Sequence, residues 1–259
     1  MFGSTLTNVI NGICANGLLL VAMTGLASAQ DSGARSSGAQ AKAVLELYTS
    51  QGCNSCPPAD ALLGIYAKRD DLVALTLPVD YWDYLGWKDT FASPKFTARQ
   101  RAYAKERGDG RIYTPQIVVN GMAHVLGRSA ADIDRAIAQT SARFTASRVP
   151  ITTRIEGARI VIEAGDAALA SGTTEATIWL AVLQKEAEVP VRSGENRGKS
   201  LKYYNVVREL TTVGMWKGKA ERFELPRDAV KLPDTQSGAV LIQSGTAGPI
   251  IGASMLPTL

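Results

Sequence analysis

The sequence predicts an α/β domain over residues 42–149 followed by an all-β, sandwich-like domain over residues 150–259. Between Lys42 and Val149, short apolar runs alternate with segments whose apolar residues recur at helical spacing. That alternation is the pattern of helices packed on a sheet. After Pro150, strand-like runs follow one another through Gly-rich turns with no long helical period between them, as in sheet-on-sheet folds. The composition, 46% hydrophobic and 20% charged over 259 residues, belongs to a globular protein and excludes disordered, collagen-like and coiled-coil chains.

The N-terminus reads as a processing signal. Ile13 to Leu26 is apolar and uncharged and leads into Ala27-Ser28-Ala29, an apolar core followed by a small-x-small cleavage site. Residues 1–29 are therefore expected to be a secretory signal peptide, and the mature protein periplasmic or secreted. Met1 to Asn11 contains no Lys or Arg, which leaves an uncleaved anchor as the rival reading and as the one route to a membrane. Residues 30–41, small and polar, are expected to be a flexible leader. Cleavage would remove Cys14 and leave Cys53 and Cys56 in an oxidising setting. Net charge is +4, from 28 basic and 24 acidic residues spread along the chain, which gives nucleic-acid binding no support. Three cysteines and one histidine leave no room for a zinc framework or a disulfide-dense scaffold.

Val44 to Tyr48 is a short, mostly apolar run suited to a central strand. It passes through Thr49 to Gly52 into Cys53-Asn54-Ser55-Cys56 and Pro57-Pro58. The prolines fit a first helical turn, whose N–H groups have no intrahelical partners, and Leu62, Ile65 and Tyr66 continue the period. A second strand is expected at Leu72 to Val79. Ser93-Pro94 opens a basic helix reaching about Arg107. Ile117 to Val119, Asn120-Gly121 and Met122 to Leu126 form a hairpin signal, and Ala130 to Ala138 a closing helix. Beyond Pro150, strands are expected at Ile151–Ile155, Arg159–Glu163, Ala176–Leu183, Leu201–Leu210, Ala220–Leu225 and Ala239–Gln243.

A strand leading through a short loop to Cys-x-x-Cys at a helix start is a redox arrangement. Cys53, near the helix N-terminus, would be held as a thiolate by unpaired N–H groups and the macrodipole. Cys56, one turn on, would attack a mixed disulfide at Cys53 and release the product. The competing readings are a static local bridge, which would close too short a loop to be a useful staple, and half of a metal site. Thr114-Pro115 ahead of the next strand fits a cis-proline loop facing the dithiol, whose neighbouring backbone an extended substrate could pair with. A trans proline opening an edge strand is the alternative.

Strand, Cys53 to Cys56, helix, then Thr114-Pro115-Gln116-Ile117-Val118-Val119-Asn120-Gly121 resembles the thioredoxin superfamily. The proline strand with its Asn-Gly turn is most similar to glutaredoxins. Leu47 to Cys53, Val79 to Trp87 and Asn205 to Arg208 further resemble an exported bacterial thioredoxin-like family of unknown function. The resemblance covers most of the mature chain and implies the fold and an exported location, with no established substrate. Pro78 departs from it, because such proteins commonly carry His before Val-Asp-Tyr-Trp.

Glu46 lies mid-strand, seven residues before Cys53. Buried there, its carboxyl would be costly to ionise, and it could relay protons to Cys56 as the buried Asp of thioredoxins does. Pairing with Lys or Arg is the bland alternative. Tyr81, Trp82, Tyr84 and Trp87 crowd with Asp80 and Asp83 beyond the second strand. Trp82 is expected to wall a substrate cleft and Trp87 to pack as satellite core or on the second domain. His124 could join Cys53 and Cys56 in a copper(I) site. Ser193 to Lys199 reads as a solvated polar loop. The function expected is thiol–disulfide exchange with a protein or small-molecule partner, glutathione among them. The attacking and resolving thiols are Cys53 and Cys56, Glu46 is the relay, and Thr114, Pro115 and Trp82 line the cleft. The dithiol requires no organic cofactor. A copper(I)-binding or partner-binding module without turnover is the alternative.

Overall fold

The computed structural model describes residues 40–168 and 175–256, which fall within a single compact unit. The expected signal peptide and all but the last two residues of the leader lie outside these residues. Gln40 and Ala41 are already held: Ala41 N donates to Ala253 O at 2.9 Å and Gln40 Nε2 to Val149 O at 2.6 Å. The leader therefore ends at least two residues earlier than expected.

Strand β1 (Ala43–Thr49) is buried along its whole length, as its apolar run requires. Helix α1 (Pro57–Tyr66) starts after Cys56, with the two prolines in its first turn. β2 (Leu72–Pro78) returns parallel to β1, completing a thioredoxin-like βαβ start. Helix α2 (Pro94–Arg107) is capped by Ser93, whose side chain accepts from Lys95 N, and ends on left-handed Gly108. β3 (Gln116–Val119) runs antiparallel to β1 and turns into β4 (Ala123–Val125). Asn120 and Gly121, at φ 52° and 66°, supply the two left-handed positions of that tight turn. Gly121 is also packed so closely that a Cβ would lie 2.6 Å from Gly248 O. Helix α3 (Ala130–Ala146) runs well past the expected Ala138, because Thr140 and Phe144 extend the buried face through a polar stretch.

The β-rich half contributes β5 (Ile151–Glu156), β6 (Arg159–Ala164), β7 (Ala176–Pro190), β8 (Ser200–Trp216), β9 (Glu221–Pro226), β10 (Ser237–Ser244) and β11 (Ile250–Leu256). Their arrangement corrects the expected division at Pro150. β7, β8, β10 and β11 join the first half in one eight-stranded mixed sheet, in the order β11-β10-β7-β8-β2-β1-β3-β4, while β5, β6 and β9 form a separate three-stranded antiparallel sheet. The seam between the halves is a single parallel pairing, Thr76 with Val206. Side chains reinforce it: Thr76 Oγ1 donates to Tyr204 O at 2.7 Å and Asn205 Nδ2 to Ala74 O at 3.0 Å. A sandwich does exist within this arrangement. Ile151, Ile160 and Ile162 of the small sheet pack on Ile178, Leu180, Val240 and Ile251 of the large one.

Alternate residues of β1 face opposite layers. Leu45 and Leu47 pack with Ala59 and Leu63 of α1 and Ile133 of α3. Val44 and Tyr48 pack with Phe96 and Tyr103 of α2 and with Leu183, Leu241 and Ile250 of the β-rich half. Glu46 shares the α2 face. Its carboxylate accepts from Arg99 Nε at 2.7 Å, with the two side chains 1% and 6% exposed, and from the Tyr103 hydroxyl. Arg99 also donates to Gln243 Oε1 of β10 at 3.0 Å and to the Tyr103 hydroxyl at 2.9 Å. Its guanidinium lies over the Tyr103 and Trp179 rings.

Removing one partner of such a buried pair leaves an uncompensated charge. Arg99→Met should lower the unfolding free energy in urea by about 3–5 kcal/mol. The double change Glu46→Leu with Arg99→Met should recover most of that loss. Equal losses in the single and double variants would show that packing, and not the charge pair, sets the cost.

Candidate functional site

β1 delivers the chain into a tight loop whose hydrogen bonds are mostly its own. Cys53 N donates to Ser50 O at 3.1 Å, Cys56 N to Cys53 O at 3.2 Å, and Gly52 N to Ser50 Oγ at 3.1 Å. Cys53 and Cys56 are joined in a disulfide with Cα atoms 5.5 Å apart. Cys56 occupies the position that opens α1, with Cys53 three residues before it. Both cysteines are buried, Cys53 being only 1% exposed.

Five residues fix this loop from outside: Trp82, Trp87, Asp89, Thr90 and Asn196. Gln51, fully buried, accepts from Trp87 Nε1 at 2.8 Å and donates to Thr90 Oγ1 at 2.9 Å. Gln51 N donates to Asp89 Oδ2 at 2.7 Å. The side chain of Asn196, reaching from the β7–β8 connection, donates to Gln51 O and Cys53 O, each at 2.9 Å. Trp82 packs on the other side, its Cβ 3.0 Å from where a Cβ on Gly52 would lie. Trp82 Nε1 donates to Thr114 Oγ1 at 2.8 Å, and the Thr114–Pro115 peptide is cis. Trp82, Thr114 and Pro115 are thus linked to the dithiol loop, whereas Trp87 packs beside Val189, Val191 and Leu201 of the β-rich half. Tyr84 is 80% exposed.

Glu46 does not join the dithiol. It lies on the α2 face of β1, opposite α1, and takes the second of its two expected roles, an ion pair with an arginine, though in mid-strand. The buried acid on the cysteine side is Asp60, one helical turn beyond Cys56, where i and i+4 side chains share a face. Its amide donates to Cys56 O at 3.1 Å. Both carboxyl oxygens are buried without a hydrogen-bond partner. Burial pushes the Asp60 pKa well up and Asp89 adds to the shift. The Thr49 hydroxyl tempers it without forming an aligned bond. Asp89 is raised to about 6, chiefly by burial, although its carboxylate accepts from the backbone N–H groups of Gln51, Phe91 and Ala92. The Tyr203 hydroxyl, buried and unpartnered, is raised first by burial and then by Asp60 and Asp89.

His124 is engaged elsewhere. Nδ1 meets the Tyr113 hydroxyl at 2.6 Å and Nε2 meets Asp109 at 3.1 Å. Burial, then Arg107, lowers its pKa. The expected Cys53/Cys56/His124 copper set is not assembled, and among the described residues no three His, Cys, Asp or Glu side chains are grouped to hold a metal ion. Sequence reasoning missed Asn196, Asp60 and Asp89. Asp60 carried a signal, since a carboxyl four residues after Cys56 must lie on the cysteine side of the helix. Asn196 gave only its place between two glycines.

A profile of the DUF1223 family, described as a protein of unknown function, matches residues 44–243, and the chain belongs to that family. The crystal structure of protein AGR_C_4864 from Agrobacterium tumefaciens is similar to it, with 34% identity over 84% of this chain and 95% of that one and a TM-score of 0.73. HBP35 of Porphyromonas gingivalis shares the fold at 14% identity, over 85% of this chain and 76% of that one, with a TM-score of 0.55. No functionally curated protein matches the chain.

Asp89 makes stability depend on pH. Its folded pKa, about 6, exceeds the ordinary 3.8, so its contribution is complete below about pH 4 and is lost as pH rises through about 6. The loss is about 3 kcal/mol by linkage. Urea unfolding across that window should show this decline in wild type and a flattened slope in Asp89→Asn. An unchanged slope in the variant would assign the decline to other groups.

Proposed function

We propose that this DUF1223 protein is an exported thiol–disulfide oxidoreductase. The observation that carries the reading is the Cys53–Cys56 disulfide at the start of α1, beside Trp82, Thr114 and Pro115. The export half rests on the apolar N-terminal segment and its Ala27-Ser28-Ala29 end.

In the reducing direction, the Cys53 thiolate attacks one sulfur of a substrate disulfide. A Cys53–substrate disulfide forms and the first substrate thiolate leaves. Cys56 then attacks Cys53 Sγ, which closes the protein disulfide and releases the second thiolate. Two electrons pass from the dithiol to the substrate. Run backwards, the same steps oxidise a substrate dithiol. The proton lost by Cys56 needs an acceptor, and the reverse reaction needs a donor. Asp60 suits that task better than Glu46, because it stands on α1 one turn beyond Cys56, its carboxyl is raised and no cation neutralises it. Trp82, Thr114 and Pro115 line the approach for a protein or small-molecule thiol, glutathione included.

The burial of Cys53 favours a second reading, an inert bridge. Equilibration against a glutathione buffer separates the two. A redox-active pair should titrate within the range of known oxidoreductase couples, about −120 to −270 mV, whereas a structural bridge falls below about −300 mV. Cys56→Ser should accumulate a mixed disulfide at Cys53, and Cys53→Ser should abolish insulin reduction. Asp60→Asn should flatten the pH dependence of the resolving step. A potential below the structural limit, with no trapped adduct, would leave the inert bridge as the reading.

A further inference from the structure

The Val191–Lys199 connection between β7 and β8 is exposed along most of its length, as a solvated loop is, but one of its polar side chains turns inward. Its ends are tied by Val191 N to Lys199 O and Gly198 N to Val191 O, both at 2.9 Å. Gly194 and Gly198 turn the chain at φ 74° and 83°, and Gly194 lies against Trp87. Asn196 at its centre is fully buried. Its Nδ2 serves the two carbonyls of the dithiol loop, and its Oδ1 accepts from Lys199 Nζ at 2.8 Å. A polar side chain so far from the loop in sequence, yet satisfied at every atom, is a latch and not a passing contact. Cys53, whose carbonyl Asn196 holds, is almost fully covered, so no thiol reaches its sulfur until something lifts.

We propose that this connection is a substrate-displaceable cap, with Asn196 as its latch, and that the substrate is an extended polypeptide. The inference rests on the oxidoreductase reading and adds a substrate class to it. Lifting Asn196 withdraws a donor from two carbonyls, Gln51 O and Cys53 O, the second of which keeps its bond from Cys56 N. A small thiol without N–H donors leaves Gln51 O unpaired, and an unpaired acceptor in a poorly hydrated site penalises opening. A peptide backbone supplies N–H groups that replace the Asn196 amide, as in strand-like peptide capture. The cap thus selects by the hydrogen bonds an incoming chain can restore.

The test measures how fast the Cys53–Cys56 disulfide opens with dithiothreitol and with a reduced dithiol peptide, in wild type, Asn196→Ala, Asn196→Asp and Lys199→Met. Losing the two latch bonds should raise the dithiothreitol rate about tenfold in both Asn196 variants. Lys199→Met, which keeps the amide but removes its anchor, should show a smaller rise. The peptide rate should rise by a similar factor, because both reductants start from the same latched state. The selection is read by N-methylating the peptide backbone beside its thiols, which should slow the peptide in every variant. Asn196→Asp keeps the side-chain size, and melting curves identify any variant that fails to fold. In that event Lys199→Met carries the comparison. An unchanged dithiothreitol rate in folded variants overturns the cap. A backbone N-methylated peptide that reacts as fast as its unmethylated parent overturns the polypeptide selection. Faster opening in the Asn196 variants, with a wild type that turns over no disulfide peptide, supports the latch and retires the oxidoreductase reading alone.

Discussion

The fold depends on one ion pair between two charges that water never reaches. Glu46 and Arg99 sit between the helical layer and the β-rich half, and a bare charge there would cost several kcal/mol. It is tolerated because the polar groups of Glu46, Arg99, Tyr103 and Gln243 pair with one another. Arg99 donates to Glu46, Gln243 and Tyr103, while Tyr103 accepts from Arg99 and Gln243 and donates its hydroxyl hydrogen to Glu46. Gln243 belongs to β10, so α2 and β1 cannot be satisfied without the β-rich half. That is why the two halves share a sheet although only one residue pair joins β2 to β8.

This joint also sets the surroundings of the dithiol. With β8 drawn against β2, helix α1 packs on Tyr204 where only Gly64 leaves room. Tyr203 enters beside Asp60 and Asp89, and the β7–β8 connection reaches over Cys53. A minimal thioredoxin-like unit would lack all three. The β-rich half is therefore part of the dithiol's surroundings: it supplies Asn196 and places Tyr203 beside the buried acids. On the oxidoreductase reading, a substrate would approach between Trp82 and Thr114 on one side and Asn196 on the other.

Local chemistry was legible in the sequence and long-range chemistry was not. Ser93-Pro94, Pro57-Pro58 and Asn120-Gly121 announce a cap, a first turn and a tight turn because each acts within a few residues. β11 escaped notice since Gly252, Ala253 and Ser254 interrupt its apolar run. Those small residues are needed because Gly252 passes close to Val149 O. The change of texture at Pro150 is real, but it marks the start of the small sheet and not the end of the large one, which later strands rejoin. Glu46 was recognisable as a buried carboxyl, yet its face depends on strand pairing and its partner on α2, 53 residues away. Asn196 acts across more than 140 residues, and no periodicity encodes that reach.

The buried acids bear on whether the disulfide is a staple or a redox couple. A bridge closing so short a loop removes little unfolded-state entropy, so it gives a chain of this size small benefit. Around it lie Asp60 with neither oxygen paired, a Tyr203 hydroxyl without a partner, and Asp89 held far from its ordinary pKa. Each costs stability, the two acids as buried carboxyls and the hydroxyl as an unpaired buried group. Around Glu46, by contrast, the fold pairs the carboxylate with Arg99 and Tyr103 and ties both to Gln243. Leaving Asp60 and Tyr203 unsatisfied beside a dithiol is the departure from local consistency expected where chemistry, not stability, fixes the residue, and on the oxidoreductase reading that chemistry is the proton traffic of Cys56.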